Sequence, residues 1–99
     1  MEVTTTRDGL VAVVTVAGDV DVETSPKLDA VFAELFSDGA RTVVVDVSDV
    51  SFLSSAGLSV LIGAQRAATH FELRRGNRIV DRLIELTGLA LLYGDSHSI

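Results

Sequence analysis

The chain has no cysteine and no tryptophan, a single proline (Pro26), and aromatic residues at only 5% of its 99 positions. Without cysteine there are no disulfides and no thiolate metal sites, which suits a reducing compartment such as the cytoplasm. His70 and His97 are far apart and lack carboxylate-rich ligand spacing, so no metal site is expected and no cofactor is implied. Basic residues are also scarce, with 8 Lys and Arg against 14 Asp and Glu and a formal charge of −6. Nucleic-acid binding rests on neutralising phosphates with cations, so this balance argues against a direct nucleic-acid partner. The local cluster Arg74, Arg75, Arg78 and Arg82 reads as a solvated helix edge. No apolar run approaches the roughly 20 residues that a membrane span needs. The opening residues lack the basic and then apolar character of a signal peptide. The expectation is a cytoplasmic protein without membrane insertion.

What is present is enough for a core. Hydrophobic residues make up 47% of the chain, and a domain of this size buries roughly two-thirds of its unfolded surface. One domain over residues 1–99 is expected, with no internal repeat, linker or low-complexity stretch.

The apolar pattern gives the order of elements. Glu2 to Thr6 is β-branched and reads as an edge strand, and Arg7-Asp8-Gly9 as a turn. Leu10 to Ala17 is apolar on both faces, which predicts a central strand buried on both sides and joined to the first by a hairpin. Gly18-Asp19-Val20-Asp21 ends it. Thr24, Ser25 and Pro26 read as a helix start, with a hydroxyl cap and a proline whose missing N–H costs nothing in the first turn. Leu28, Val31, Phe32, Leu35 and Phe36 recur at three and four, and Asp38-Gly39 stops the helix. Thr42 to Val47 predicts a second buried strand, parallel to the first central one through a β–α–β unit. Ser48 to Leu53 reads as a loop and Ser54 to Ala68 as a helix. Phe71 to Leu73 is a short candidate strand with no glycine easing the turn into it. Gly76-Asn77 reads as a turn or helix start, Ile79 to Leu86 as a third amphipathic helix stopped by Thr87-Gly88, and Gly94 to Ile99 as a loose tail. The sum is an α/β fold, a mixed sheet of about four strands with three helices mainly on one face.

The strand–turn–helix junction around Ser54 and Ser55 is the chemical focus. The first turn of a helix leaves backbone N–H groups unpaired and carries partial positive charge. A neutral serine caps those groups, and most serine pairs before a helix do no more than that. A phosphoserine is accommodated there as well, because helix N-termini bind anions. Its added charge of roughly −1.5 to −2 changes what docks on the surface rather than the fold beneath. Catalysis fits less well. A nucleophile elbow needs glycine two residues before the serine, where Leu53 stands. Neither a Gly-x-Gly-x-x-Gly nor a Walker pattern occurs around Gly57. Asp19 with Asp21, and Asp46 with Asp49, bracket strand ends. Paired carboxylates do acid–base work in some sites, but loops capped by aspartate are the commoner case.

The run Asp46-Val47-Ser48-Asp49-Val50-Ser51-Phe52-Leu53-Ser54-Ser55-Ala56-Gly57-Leu58 resembles the signature of STAS domains, specifically the bacterial anti-sigma factor antagonists. That pattern runs from aspartate, an apolar residue and serine, through an aromatic, to Asp-Ser-(Ser/Thr/Ala)-Gly-(Leu/Ile). Gly18-Asp19-Val20-Asp21 resembles the family's turn before the first helix. Leu83-Ile84-Glu85-Leu86-Thr87-Gly88-Leu89 resembles its C-terminal segment. The resemblance implies a partner switch. An unphosphorylated antagonist binds an anti-sigma factor, a serine kinase of the GHKL type, and thereby frees a sigma factor. The kinase phosphorylates and releases the antagonist, and a phosphatase reverses this.

The resemblance places the phosphoacceptor on Ser55. It places the partner-binding surface on Ser54, Ser55, Ala56, Gly57 and Leu58, with Gly18, Asp19 and Asp21 beside them. It implies a binding protein and no catalytic residues. One departure stands at the acceptor: Ser54 occupies the position of the usual acid, which removes a negative charge next to Ser55. A second is the short Thr69–Gly76 region, which leaves less room for the fourth strand and the loop after it. An alternative keeps the fold and changes the job. Some stand-alone STAS modules regulate a membrane transporter through its cytoplasmic ATPase subunit, and the serine region is then a docking surface. A hydrolase using Ser55 is a third reading.

Overall fold

A computed structural model describes residues 1–74, 78 and 80–82. Four strands form one sheet in the order of the chain: β1 (Glu2–Asp8), β2 (Val11–Val20), β3 (Thr42–Leu53) and β4 (His70–Arg74). Helix α1 (Ser25–Ser37) joins β2 to β3, and α2 (Ser55–Ala67) joins β3 to β4. β1 pairs antiparallel with β2 as the expected hairpin. β3 lies parallel to β2 and β4 parallel to β3, so two β–α–β units share the middle strand. Arg78 and Val80–Arg82 are helical, the described part of the third helix. The Gly76-Asn77 turn, the rest of Ile79–Leu86, Thr87-Gly88 and the Gly94–Ile99 tail lie outside the described residues.

The sheet buries one face more than the other. Ala12, Val14 and Val16 of β2 are buried, as are Val43, Val45 and Val47 of β3 and Phe71 and Leu73 of β4. Successive side chains in a strand point to opposite faces, so these residues share one side. Leu28, Phe32 and Leu35 of α1 and Leu58, Leu61 and Ala64 of α2 close over it. The opposite side is mixed: Val11 and Thr15 are exposed and Val13 is half-buried, although Val44 is buried. β2 is central as expected, but it is not buried on both sides. Its run of valines reads as two-sided because valine also suits a half-covered strand.

Helix α1 ends in a hydrogen-bonded Schellman turn. Ala40 N–H donates to the Leu35 carbonyl and Gly39 N–H to that of Phe36, both at 3.0 Å. Gly39 takes the left-handed conformation that this turn requires, with φ of 99°. Helix α2 leaves differently. Its cap Ala68 is extended, with φ −78° and ψ 146°, and Thr69 and His70 donate straight to the Arg41 carbonyl. The chain thus enters β4 without a left-handed residue, which is why no glycine is needed there. β4 is longer than the expected Phe71–Leu73.

The largest difference lies in β3. The expected loop over Ser48–Leu53 is strand, held against β2 through two register shifts. Between Thr15↔Asp46 and Ala17↔Asp49, β3 carries one extra residue, and between Gly18↔Val50 and Asp19↔Phe52 another. Such bulges are rare in parallel pairs. They space the buried residues Val47, Val50 and Leu53 by three, which hides the twofold alternation of a strand.

Candidate functional site

The bulged end of β3 runs straight into α2, and β2 ends beside it. Ser54 N–H donates to the Val20 carbonyl at 2.8 Å, tying the end of β2 to the start of α2. Ser54 is the helix cap in extended conformation. Its hydroxyl accepts from Gly57 N–H at 3.1 Å, and its carbonyl accepts from Leu58 N–H at 2.9 Å. This satisfies one of the amides that a helix start leaves unpaired. Ser55 is the first helical residue, and it is exposed. No acid occupies the first turn of α2, so nothing offsets the partial positive charge there.

The helix sits unusually close to the strands beneath it. A Cβ placed on Gly57 lies 2.7 Å from Val20 Cγ1 and 2.8 Å from Leu53 Cδ1. Only glycine allows that approach. Gly57 and Leu58 are both buried, so they shape the site from below and offer a partner little surface. Ala56 is half-buried.

The neighbouring segment is fixed by Asp21. One carboxylate oxygen, Oδ1, accepts from Glu23 N–H at 3.0 Å, Thr24 N–H at 2.9 Å and the Thr24 hydroxyl at 3.0 Å. Asp21 N–H donates back to Thr24 Oγ1 at 2.9 Å. The Ser25 hydroxyl, almost fully buried, donates to the Asp21 carbonyl at 2.6 Å. These bonds hold the Asp21 carboxyl below the usual carboxylate range; the Thr24 N–H contributes most, then the Thr24 hydroxyl. Thr24 occupies the cap position of α1, yet its side chain does not cap the helix. The hydroxyl expected to cap is drawn into the Asp21 turn. Asp19 is exposed, and Gly18 lies in β2 at the second register shift with φ of 85°.

Asp46 works the same way further back. It accepts from Ser48 N–H at 3.0 Å and from the Ser48 hydroxyl at 2.7 Å. Those two bonds span the first bulge. Its carboxyl too is held low, by the Ser48 hydroxyl first and its N–H second. Asp21 and Asp46 therefore hold backbone in place, and neither pairs with its neighbouring aspartate as an acid–base couple.

Two surface residues escape sequence reasoning. Val22 is 71% exposed and Phe52 is 50% exposed. Phe52 stands opposite Asp19 in the β2–β3 ladder, and Val22 tops the turn that Asp21 fixes. The one signal in the sequence is an apolar residue set between two acids, Asp21-Val22-Glu23.

A family model described as "Mlab, STAS domain" matches residues 3–93. An anti-sigma-B factor antagonist of Staphylococcus aureus is 36% identical over 91 residues, covering 87% of this chain and 82% of that protein. One from Staphylococcus epidermidis is 33% identical over 81 residues, covering 77% and 74%. Among solved structures, an anti-sigma factor antagonist from Mycobacterium paratuberculosis superposes with a TM-score of 0.77 at 31% identity, covering 89% of this chain and 78% of that one. The anti-sigma factor antagonist SpoIIAA in its unphosphorylated form gives 0.79 at 17% identity, covering 89% and 82%, a likeness of fold.

Proposed function

This chain belongs to the STAS domain family, and from that membership we propose that it is a cytoplasmic anti-sigma factor antagonist switched by phosphorylation of Ser55. In its unmodified form it binds an anti-sigma factor, a serine kinase of the GHKL type, and frees a sigma factor. The kinase transfers phosphate to Ser55 and releases the chain, and a phosphatase resets it. The role is binding rather than catalysis.

The observation that carries this reading is the position of Ser55. Its hydroxyl is at the surface, on the first residue of α2, where a phosphate meets partial positive charge. Ser54 is half-buried and its hydroxyl is engaged with Gly57 N–H. Of the two serines, Ser55 is the one open to a kinase. The neutral Ser54 also spares a phosphate on Ser55 the repulsion of an adjacent carboxylate.

The test is incubation of the chain with the anti-sigma kinase of its own organism and ATP, read by intact mass. One added phosphoryl group is expected on the wild type and on Ser54→Ala, and none on Ser55→Ala. No addition to the wild type, or addition that persists in Ser55→Ala, sinks the switch. Stable association with a transporter ATPase in place of the kinase would transfer the role to the transporter reading.

A further inference from the structure

We infer that β1 is a self-pairing edge: two copies of the chain join antiparallel through it, making one continuous sheet of two four-stranded ones, with their α1 helices packed side by side. The inference stands on the fold and does not depend on Ser55 being a switch. Among the described residues β1 is an outer strand, seven residues long and paired with β2 without a bulge. Sheets protect such edges with proline, lysine, bulges or a covering element. β1 has no proline and no lysine, and Thr4, Thr5 and Thr6 are exposed.

The hairpin decides which backbone groups of that edge are free. Gly9 and Leu10 form a two-residue loop with Gly9 at φ 61°, so Asp8 and Val11 on either side of it exchange hydrogen bonds. Bonding alternates along the ladder. Thr6, Thr4 and Glu2 therefore bond to β2, while Val3, Thr5 and Arg7 turn their N–H and C=O outward. The same three residues line an open groove of about 310 Å³ with Val31, Glu34 and Asp38 of α1.

A twofold axis normal to the sheet keeps each side chain on its own face, so outward-bonding residues meet one another. Centring it on Thr4 sets Val3 against Thr5 of the second copy, and Glu2 against Thr6. Centring it on Thr5 instead sets Glu2 against Asp8 of the second copy, a like-charge pair that weakens a sheet. The helices select the same centre. Arg7 Nη2 donates to the Asp38 carbonyl at 3.5 Å. From Arg7 back to Thr4 is about 10 Å of strand, or about seven residues of helix, which leads from Asp38 to Val31. The two α1 helices then run antiparallel past each other with Val31 at the axis. Lys27 lies one turn before Val31 and Glu34 one turn after it, both exposed and on the same side of α1. Each Lys27 thus meets Glu34 of the second copy. The Ser55 ends of the two copies point in opposite directions, so self-pairing leaves both open.

The test is sedimentation equilibrium of the full chain from about 10 μM to about 1 mM, in about 150 mM salt to screen the formal charge of −6 on each copy. Wild type is expected to pass from monomer to dimer across that range. Thr5→Pro removes an outward N–H and no bond to β2, which is where an edge strand accepts proline. It is expected to weaken the dimer by about tenfold or more, with little change in urea midpoint. Lys27→Glu and Glu34→Lys are each expected to weaken it by about tenfold, and an equimolar mixture of the two to restore it, because each then meets its complement. A wild-type chain that stays monomeric to about 1 mM, a Thr5→Pro variant that dimerises like wild type, or a mixture that associates no better than either charge variant alone overturns the self-pairing edge. None of these outcomes touches the anti-sigma reading.

Discussion

Ser54 donates its backbone N–H to the Val20 carbonyl at 2.8 Å, and the same valine presents Cγ1 to Gly57 three residues further on. β2, whose last residue is Val20, thus holds the start of α2 by one hydrogen bond and sets how near the helix sits by one methyl group. Ser55 lies between those two contacts in sequence, so its position is inherited from Val20.

The two described glycines of α2 should respond to alanine with opposite signs. At Gly57 the new methyl meets Val20 and Leu53 at under 3 Å, and such overpacking costs about 1–3 kcal/mol. At Gly63 nothing lies within 4 Å, so alanine gains up to about 1 kcal/mol of helix propensity. Urea unfolding of both variants checks this. Adding Val20→Ala to Gly57→Ala should give a combined loss smaller than the sum, because the clash with Val20 is removed while that with Leu53 stays.

Ser54→Ala leaves the Gly57 amide without its cap, and a loss of about 1 kcal/mol is expected. Ser54→Asp keeps the acceptor and adds charge to a first turn that has no acid, for a gain of about 0.3–1 kcal/mol at low salt. That gain should fade in salt-titrated unfolding curves, and a gain that persists at high salt would rule out the charge as its source.

Asp21 should make the fold acid-sensitive. Its folded carboxyl titrates below the ordinary carboxylate range, so its contribution to stability is present above the unfolded value of about 3.9 and is lost as pH falls through the folded one. At neutral pH Asp21→Asn should be less stable than wild type. The gap should close as the pH drops below about 4, followed by chemical unfolding at stepped pH.

Asp46→Ala removes both hydrogen bonds that span the first bulge. Faster amide exchange at Ser48 is expected, with little change at Val14 in the core of β2. Equal protection at Ser48 in the variant would show that the ladder alone keeps the bulge.

Much of this arrangement is legible in the residues, for reasons that can be named. The β–α–β order follows from Val43-Val44-Val45 and from the period of Leu28, Phe32 and Leu35, since one period suits strands and the other helices. The end of β3 is not legible, because two extra residues turn alternation into a spacing of three at Val47, Val50 and Leu53. Thr24 has the chemistry of a helix cap, but its preference for Asp21 depends on a turn that exists only after folding. Ser54 reads correctly as a cap, since its spacing to Gly57 is local. That Leu58 is buried is decided by the approach of α2 to the strands, and that Val22 is exposed by the turn that Asp21 fixes; both lie beyond local pattern.

The bulges also bear on how the chain tolerates changes in length. In a regular strand, losing one residue sends every later side chain to the wrong face. In β3 each register shift sets two residues opposite one, so the surplus residue has no ladder partner to abandon. Excising Ser51 leaves Phe52 beside Asp19 and Leu53 beside Val20, with the alternation intact. The segment leading to Ser55 can therefore lose the surplus residue at either bulge while the seat of Ser55 stays in phase.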